Sequence, residues 1–294
     1  MSTQTAARIQ QFDPEKGSMK VIARAECDDA MIEVMQYSVL KGSSDTRTAE
    51  TLFFASQVGM RLKTVRIKLK NSKIRAEPGA LYFMQGDLEI KTSTDGGILK
   101  GLARKMASSE TFCVNEIHGT GTIYLEPTFG HFFLHRILED APGVVCEKGM
   151  FYAGTANLDV GTAVQKNISS ALMGGEGWFQ TSIKGTGIAV LFSPVPADEV
   201  KKFDLDGDKL SVDGNFSLMR TDGIEFKAEK SSKSWLASSD SGEGTLQTFS
   251  GTGSVWVAPT QGVYEKMTTV EGLRQLASAP GNMGTDTNTR KAKK

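Results

Sequence analysis

Three stretches of this chain carry nearly the same text, and that repetition limits the fold more than any other feature. SETFCVNEIHGTGTIYLEP runs from Ser109 to Pro127, GEGWFQTSIKGTGIAVLFSP from Gly175 to Pro194, and GEGTLQTFSGTGSVWVAP from Gly242 to Pro259. Their Gly-Thr-Gly triplets begin at Gly119, Gly185 and Gly251, two successive steps of 66 residues. Equal intervals point to duplication. After each triplet comes a short apolar run closed by proline: Ile123 to Leu125, Ala189 to Phe192, and Val255 to Val257. Such runs read as strands covered on both faces. Gly119, Gly121, Gly185, Gly187, Gly251 and Gly253 supply the freedom for a tight turn. Each segment therefore predicts a hairpin of strand, Gly-Thr-Gly turn and buried strand.

A second element precedes each of these: EPGALYFMQGDLEIKTS from Glu77, EKGMFYAGTANLDVGTA from Glu147, and VDGNFSLMRTDGIEFKAE from Val212. Ile224, Phe226 and Ala228 alternate with Glu225, Lys227 and Glu229, the pattern of a half-buried strand. Tyr82, Phe83, Phe151, Tyr152 and Phe216 suit a core between two sheets. Linkers join the elements: GGILKGLARKMASS, VQKNISSALMGG and KSSKSWLASSDSG. The unit is strand pair, linker, hairpin, with copies at about 61–127, 128–194 and 195–267. The end copies are as apolar as the middle one, so polar caps of an open stack are missing. This predicts an all-β fold of three tandem β-sandwich repeats closed around a pseudo-threefold axis.

The runs EPGALYFMQGDLEI, KGMFYAG and DGNFSLM, the two GEG-x-x-QT strands and the GTG triplets together resemble the altered-inheritance-of-mitochondria protein family, over about residues 60 to 267. The resemblance implies a shortened double-stranded β-helix repeated three times, of the tryptophan-RNA-binding-attenuator-like fold, with no established enzymatic activity. Mitochondrial relatives are linked to inner-membrane organisation, and the lack of a presequence makes this chain more like the bacterial members.

Outside the repeats, Met31 to Tyr37 reads as a strand and Thr46 to Ser56 as a turn or two of helix. Val65, Ile67 and Leu69 alternate with Arg66, Lys68 and Lys70, a strand with one basic, wet face. Residues 1–60 are expected to form a partly structured extension and 268–294 a mostly flexible tail. Lys+Arg and Asp+Glu both number 34 in 294 residues, and this neutral balance weighs against general nucleic-acid binding. Cys27, Cys113 and Cys146 form neither a disulfide framework nor a zinc signature. With no secretion signal and no apolar run near 18 residues, a cytoplasmic protein is expected.

The chemical motifs are weak. No helix signal follows any GTG, as a phosphate loop requires. Asp204, Asp206 and Asp208 begin like a calcium loop, but Lys209 and Asn215 stand where glycine and glutamate belong. They predict a polar hairpin turn. His131 and His135 are spaced as metal ligands without a visible third, and His118 reads as part of a surface turn. Glu110, Glu176 and Glu243 recur before each triplet, where they could meet on an axis and hold a cation or accept from turn amides. No catalytic residue, metal or cofactor is expected. Lys100, Arg104, Lys105, Lys166, Lys230, Lys233 and Trp235 form the candidate binding rim, basic and apolar, for an anionic lipid surface or an acidic protein. The expected role is a non-enzymatic scaffold or binding module with self-association through exposed sheet edges. RNA binding by fold analogy and small-molecule binding are the alternatives.

Overall fold

The computed structural model describes residues 19–93, 114–164, 179–213, 216–230 and 245–277. Fifteen strands dominate them: β1 (Met19–Cys27), β2 (Ala30–Tyr37), β3 (Lys63–Ala76), β4 (Leu81–Ser93), β5 (Val114–Leu125), β6 (His131–Ile137), β7 (Val144–Cys146), β8 (Phe151–Thr155), β9 (Leu158–Val164), β10 (Phe179–Gly185), β11 (Gly187–Ser193), β12 (Lys201–Asp213), β13 (Ser217–Thr221), β14 (Glu225–Lys230) and β15 (Thr245–Val257). Helix α1 (Thr46–Gln57) follows β2, and α2 (Gln261–Met267) and α3 (Val270–Ala277) follow β15. Asp45 caps α1 by accepting from the Thr48 amide at 2.9 Å.

The strands form an eight-stranded and a seven-stranded sheet. One pairing order recurs in both. β5 lies between β3 and β4. β10 lies between β7 and β9, and β11 between β6 and β8. β15 lies between β12 on one side and β13 and β14 on the other. Each Gly-Thr-Gly sits in the middle strand of such a set. It bends that strand rather than reversing it: β5 and β15 run unbroken through theirs, and β10 passes to β11 with only Thr186 between. The hairpin reading of Gly119, Gly185 and Gly251 is corrected accordingly. The antiparallel neighbours are instead β4 and β5, in register from Ser93↔Val114 to Leu81↔Leu125. The triplet leads keep the positive φ expected of them, +126° at Gly119, +90° at Gly185 and +118° at Gly251. A Cβ on Gly119 would lie 2.0 Å from the Asp87 carbonyl oxygen, so close strand packing excludes any side chain there.

Bulges on the outer strands face two of the bends. β3 shifts register between Leu69 and Ser72, with Asn71 at φ +48° donating its amide to Thr120 Oγ1 at 2.8 Å. β12 shifts between Asp206 and Asp208, with Gly207 at φ +79°. The Asp204–Asp208 run is thus a bulge inside one strand and not a hairpin turn.

Alternation fixes the core. Val65, Ile67 and Leu69 on β3 are buried with Ile32 and Val34 of β2, while Lys68 and Lys70 are exposed. Residues 30–37 are therefore part of the first core rather than an appendage. Each wholly buried isoleucine contributes roughly 1.5–3 kcal/mol. Ile224, Phe226 and Ala228 are buried as their alternation predicts. Three apolar clusters result. The first joins β2, β3 and β5 to Ala153, Ile188 and Val190, the second joins Phe151, Ile183 and Leu191 to Leu218 and Ala258, and the third lies within β12 to β15. Two ladders tie the sets together: Ile74, Arg75 and Ala76 of β3 pair with β8, and Val144, Val145 and Cys146 of β7 pair with β13. No described strand of the third set pairs with the first. Residues 270–277, expected in a flexible tail, form α3. Among the described residues no helix is long and apolar enough to cross a membrane.

Candidate binding surface

β4 pairs with β5 along one edge, and no described strand pairs with its other edge. A bulge between Leu81 and Phe83 breaks the alternation there, and the consecutive rings of Tyr82 and Phe83 both reach solvent. Phe83 stacks on Tyr124 of β5, with ring centroids 4.4 Å apart and planes 21° apart. Tyr82 lies 5.4 Å from Phe83. These rings, expected in a core, form an exposed aromatic ridge beside an open backbone edge. Farther along the strand, Ile90 is exposed beside buried Ile117.

Where β4 and β5 bend, Asn71, Ser72, Lys73, Asp87, Glu89, His118 and Gly119 line a polar groove of about 440 Å³. Beside it, Lys73 and His118 are engaged by the carboxylate of Glu116. Glu116 Oε1 accepts from Lys73 Nζ and Arg75 Nε, each at 2.9 Å, and Oε2 lies 3.0 Å from His118 Nε2. Burial alone would raise the Glu116 carboxyl; the hydrogen bonds and charges of Lys73 and Arg75 outweigh it and hold the group below the ordinary carboxylate range. Arg75 reaches on to the carbonyl oxygens of Ala156 and Leu158, clamping the first set to the second. Ser72 donates to Asp29, which lowers the Asp29 carboxyl. Cys27 Sγ lies 3.3 Å from Asp29, and burial pushes its thiol up.

Two further ion networks are internal. Glu33, wholly buried on β2, accepts from Arg24 Nη2 at 2.5 Å and Arg66 Nη2 at 2.6 Å. Burial would raise Glu33, but the two guanidinium groups hold it low. Between the second and third sets, buried Arg220 donates to Gln180 Oε1 at 2.8 Å and lies 5.2 Å from the Phe226 ring centroid. Gln180 donates to Glu147 Oε1 at 2.6 Å. Burial draws the Arg220 pKa down and pushes Cys146 up to about 12, so this thiol stays protonated at neutral pH. Carboxylates and cations here satisfy each other in joints between strands. The open backbone edge of β4 and the exposed Tyr82 and Phe83 rings face outward, and both suit strand addition.

The sequence-derived candidates fare unevenly. Lys100, Arg104, Lys105, Lys166, Lys233 and Trp235 lie outside the described residues, as do Glu110, Glu176 and Glu243; Lys230 ends β14, paired with Thr245. His131 and His135 lie on β6, where four residues span about 13 Å, too far apart for both to ligate one ion. Burial lowers the pKa of both, and the His135 ring meets Trp256 edge-on at 5.9 Å. His118 belongs to a strand rather than a surface turn. Sequence reasoning missed Glu33, Glu116 and Arg220. Glu33 carried a readable signal, a lone carboxylate within the apolar run of β2.

Among curated proteins none matches this chain. Of solved structures, a Streptococcus pyogenes protein, SPYM3_0169, is similar at 20% identity, with a TM-score of 0.50, over 67% of this chain and 88% of that one. At that identity the likeness concerns the fold alone. The family model described as mitochondrial biogenesis AIM24 matches residues 55–260, from α1 through β15, and by that match the chain belongs to this family.

Proposed function

We propose that this protein is a non-enzymatic scaffold or binding module that works through the open edges of its sheets. The observation that carries the reading is β4: thirteen residues, paired on one side only among the described residues, with Tyr82, Phe83 and Ile90 exposed along it. Folded proteins usually shorten, charge or cover such an edge. The groove at Gly119 supports the same reading, since the buried Glu116 carboxylate beside it is already engaged by Lys73, Arg75 and the His118 ring.

In this reading the three strand sets are copies of one module placed around a pseudo-threefold axis, with the contact between the third and the first left open among the described strands. The 66-residue spacing, the recurring pairing order and the two like ladders between sets support it. A cytoplasmic setting goes with it, supported by the free thiols of Cys27 and Cys146. The basic rim around the linkers is a second surface, for anionic lipid or an acidic protein.

Light scattering over a range of concentrations, with sedimentation on anionic vesicles and filter binding of RNA, tests the proposal. A particle heavier than the 31.7 kDa chain, or vesicle binding that needs the rim lysines, supports it. Salt-sensitive RNA retention would favour the nucleic-acid alternative. A monomer that engages neither lipid nor RNA would overturn the reading.

A further inference from the structure

The three strand sets can be compared position by position, and the comparison shows an interface filled twice and left open once. Stepping 66 residues along the middle strands equates Tyr124, Val190 and Trp256, and hence their partners Phe83, Ala153 and Met219. The same step equates the bulged residues Tyr82, Tyr152 and Leu218 that precede them. In the second set this segment is covered by the end of β3, with Ala76 opposite Ala153, Arg75 opposite Gly154 and Ile74 opposite Thr155. In the third set it is covered by β7, with Cys146 opposite Met219, Val145 opposite Arg220 and Val144 opposite Thr221. One further backbone bond extends each ladder: Glu77 N–H to Tyr152 O and Glu147 N–H to Leu218 O, both at 3.0 Å.

In the first set nothing described occupies that place. Burial records the difference. Ala153 is 0% exposed and Met219 7%, whereas Phe83 is 48% exposed; Leu218 is 3% exposed and Tyr82 52%. The strand that would fill the place exists at the other end of the molecule. Opposite the middle strands, Asn115, Thr181 and Gln247 face Ala76, Cys146 and Val212, so the far half of β12 corresponds to the ends of β3 and β7. β12 pairs only with β15 among the described strands, and Ser211 is exposed where its counterpart Val145 is buried.

We infer that copies of this chain join head to tail, the far half of β12 from one copy adding to the near half of β4 of the next. The register follows from the two filled examples: Val212 opposite Phe83, Ser211 opposite Met84, Leu210 opposite Gln85, and the Asp213 amide donating to the Tyr82 carbonyl. Leu210 and Val212 continue the apolar pattern of Ile74 with Ala76, and of Val144 with Cys146. The contact is heterologous, because different surfaces meet, so it builds a closed ring or an open filament rather than a two-fold dimer. This rests on the reading of the protein as an assembling module and names the partner of its open edge.

Paired cysteines test the contact and separate it from closure within one chain. Gln85→Cys and Leu210→Cys are introduced singly and together, with Cys27, Cys113 and Cys146 replaced by serine or alanine. Under mild oxidation the doubly substituted chain is expected to give a ladder of dimers, trimers and higher species on a non-reducing gel. The two single-cysteine chains mixed should give a disulfide-linked dimer and nothing larger, and neither alone should cross-link. Loss of both thiols without any rise in mass would mean that β12 closes on β4 of its own chain; that overturns the inference and leaves the three-copy module standing. Retention of free thiols in every sample would overturn it as well. Ser211→Pro gives a second readout: proline is tolerated at an open strand edge and removes an amide there, so it should return the assembly to the 31.7 kDa monomer with the fold intact. An unchanged assembly in that variant counts against the contact.

Discussion

Gly119 shows how much rests on single atoms in this fold. Its φ of +126°, and the Asp87 carbonyl oxygen 2.0 Å from where a methyl carbon would stand, leave alanine no room. Gly119→Ala should lower the unfolding free energy by about 1–3 kcal/mol, read as a fall in the denaturation midpoint with the slope unchanged. Gly161→Ala, with no atom within 4 Å of the added carbon, is the control and should move it by under about 1 kcal/mol. Arg220→Ala should cost about 2–4 kcal/mol, since it leaves Gln180 and Glu147 with an unfilled polar hole in the joint between β7 and β13. The histidines set the acid side of stability. Burial holds His131 and His135 below the ordinary histidine value, so the unfolded chain takes up protons first as pH falls. Their contribution is complete above about pH 6.5 and declines below it. Near His131 the charges of Lys63, Glu199 and Asp198 act with opposite signs, while His135 faces the Trp256 ring. His135→Phe should lessen the stability lost between pH 7 and pH 5 in denaturant titrations. Glu33 and Glu116, held low by arginine and lysine, begin to lose their contribution only below about pH 4.5.

At the scale of strands and helices, what was legible was what is local. The alternation of Val65, Ile67 and Leu69, the buried run Ala189 to Leu191, and the Ile224, Phe226, Ala228 series all identified strands and their inner faces. The Gly-Thr-Gly triplets were readable as positive-φ positions but not as bends, because a reversal and an in-line bend ask the same freedom of a glycine. Tyr82 and Phe83 occupy the places of Tyr152 and Ala153; whether those places are covered depends on whether a distant strand lies over them, which no local pattern records. The candidate rim came from composition around the linkers, while the open edge of β4 came from topology. Helix α3 escaped notice because Gly272 interrupts its apolar spacing; in the structure that glycine packs on the Lys266 carbonyl. Helix α1 has no buried residue, with Phe53 and Phe54 both exposed. Replacing both with serine should change the thermal midpoint of the monomer by no more than about 2 °C, since no core contact is lost.

The whole molecule reads as a series of three strand sets whose outer strands each seek a neighbour. Two find one within the chain, through β3 on β8 and β7 on β13. The far half of β12 and the near half of β4 are the remaining pair of ends, proposed above to meet between copies. Hydrogen exchange tests this most directly, with the amides of residues 82–85 and 210–213 followed at low and high protein concentration. Head-to-tail pairing predicts that both segments, and not the already covered residues 153–155 and 144–146, gain protection together as concentration rises. Exchange at 82–85 and 210–213 that is fast and independent of concentration would contradict it, as would protection already complete in the dilute monomer.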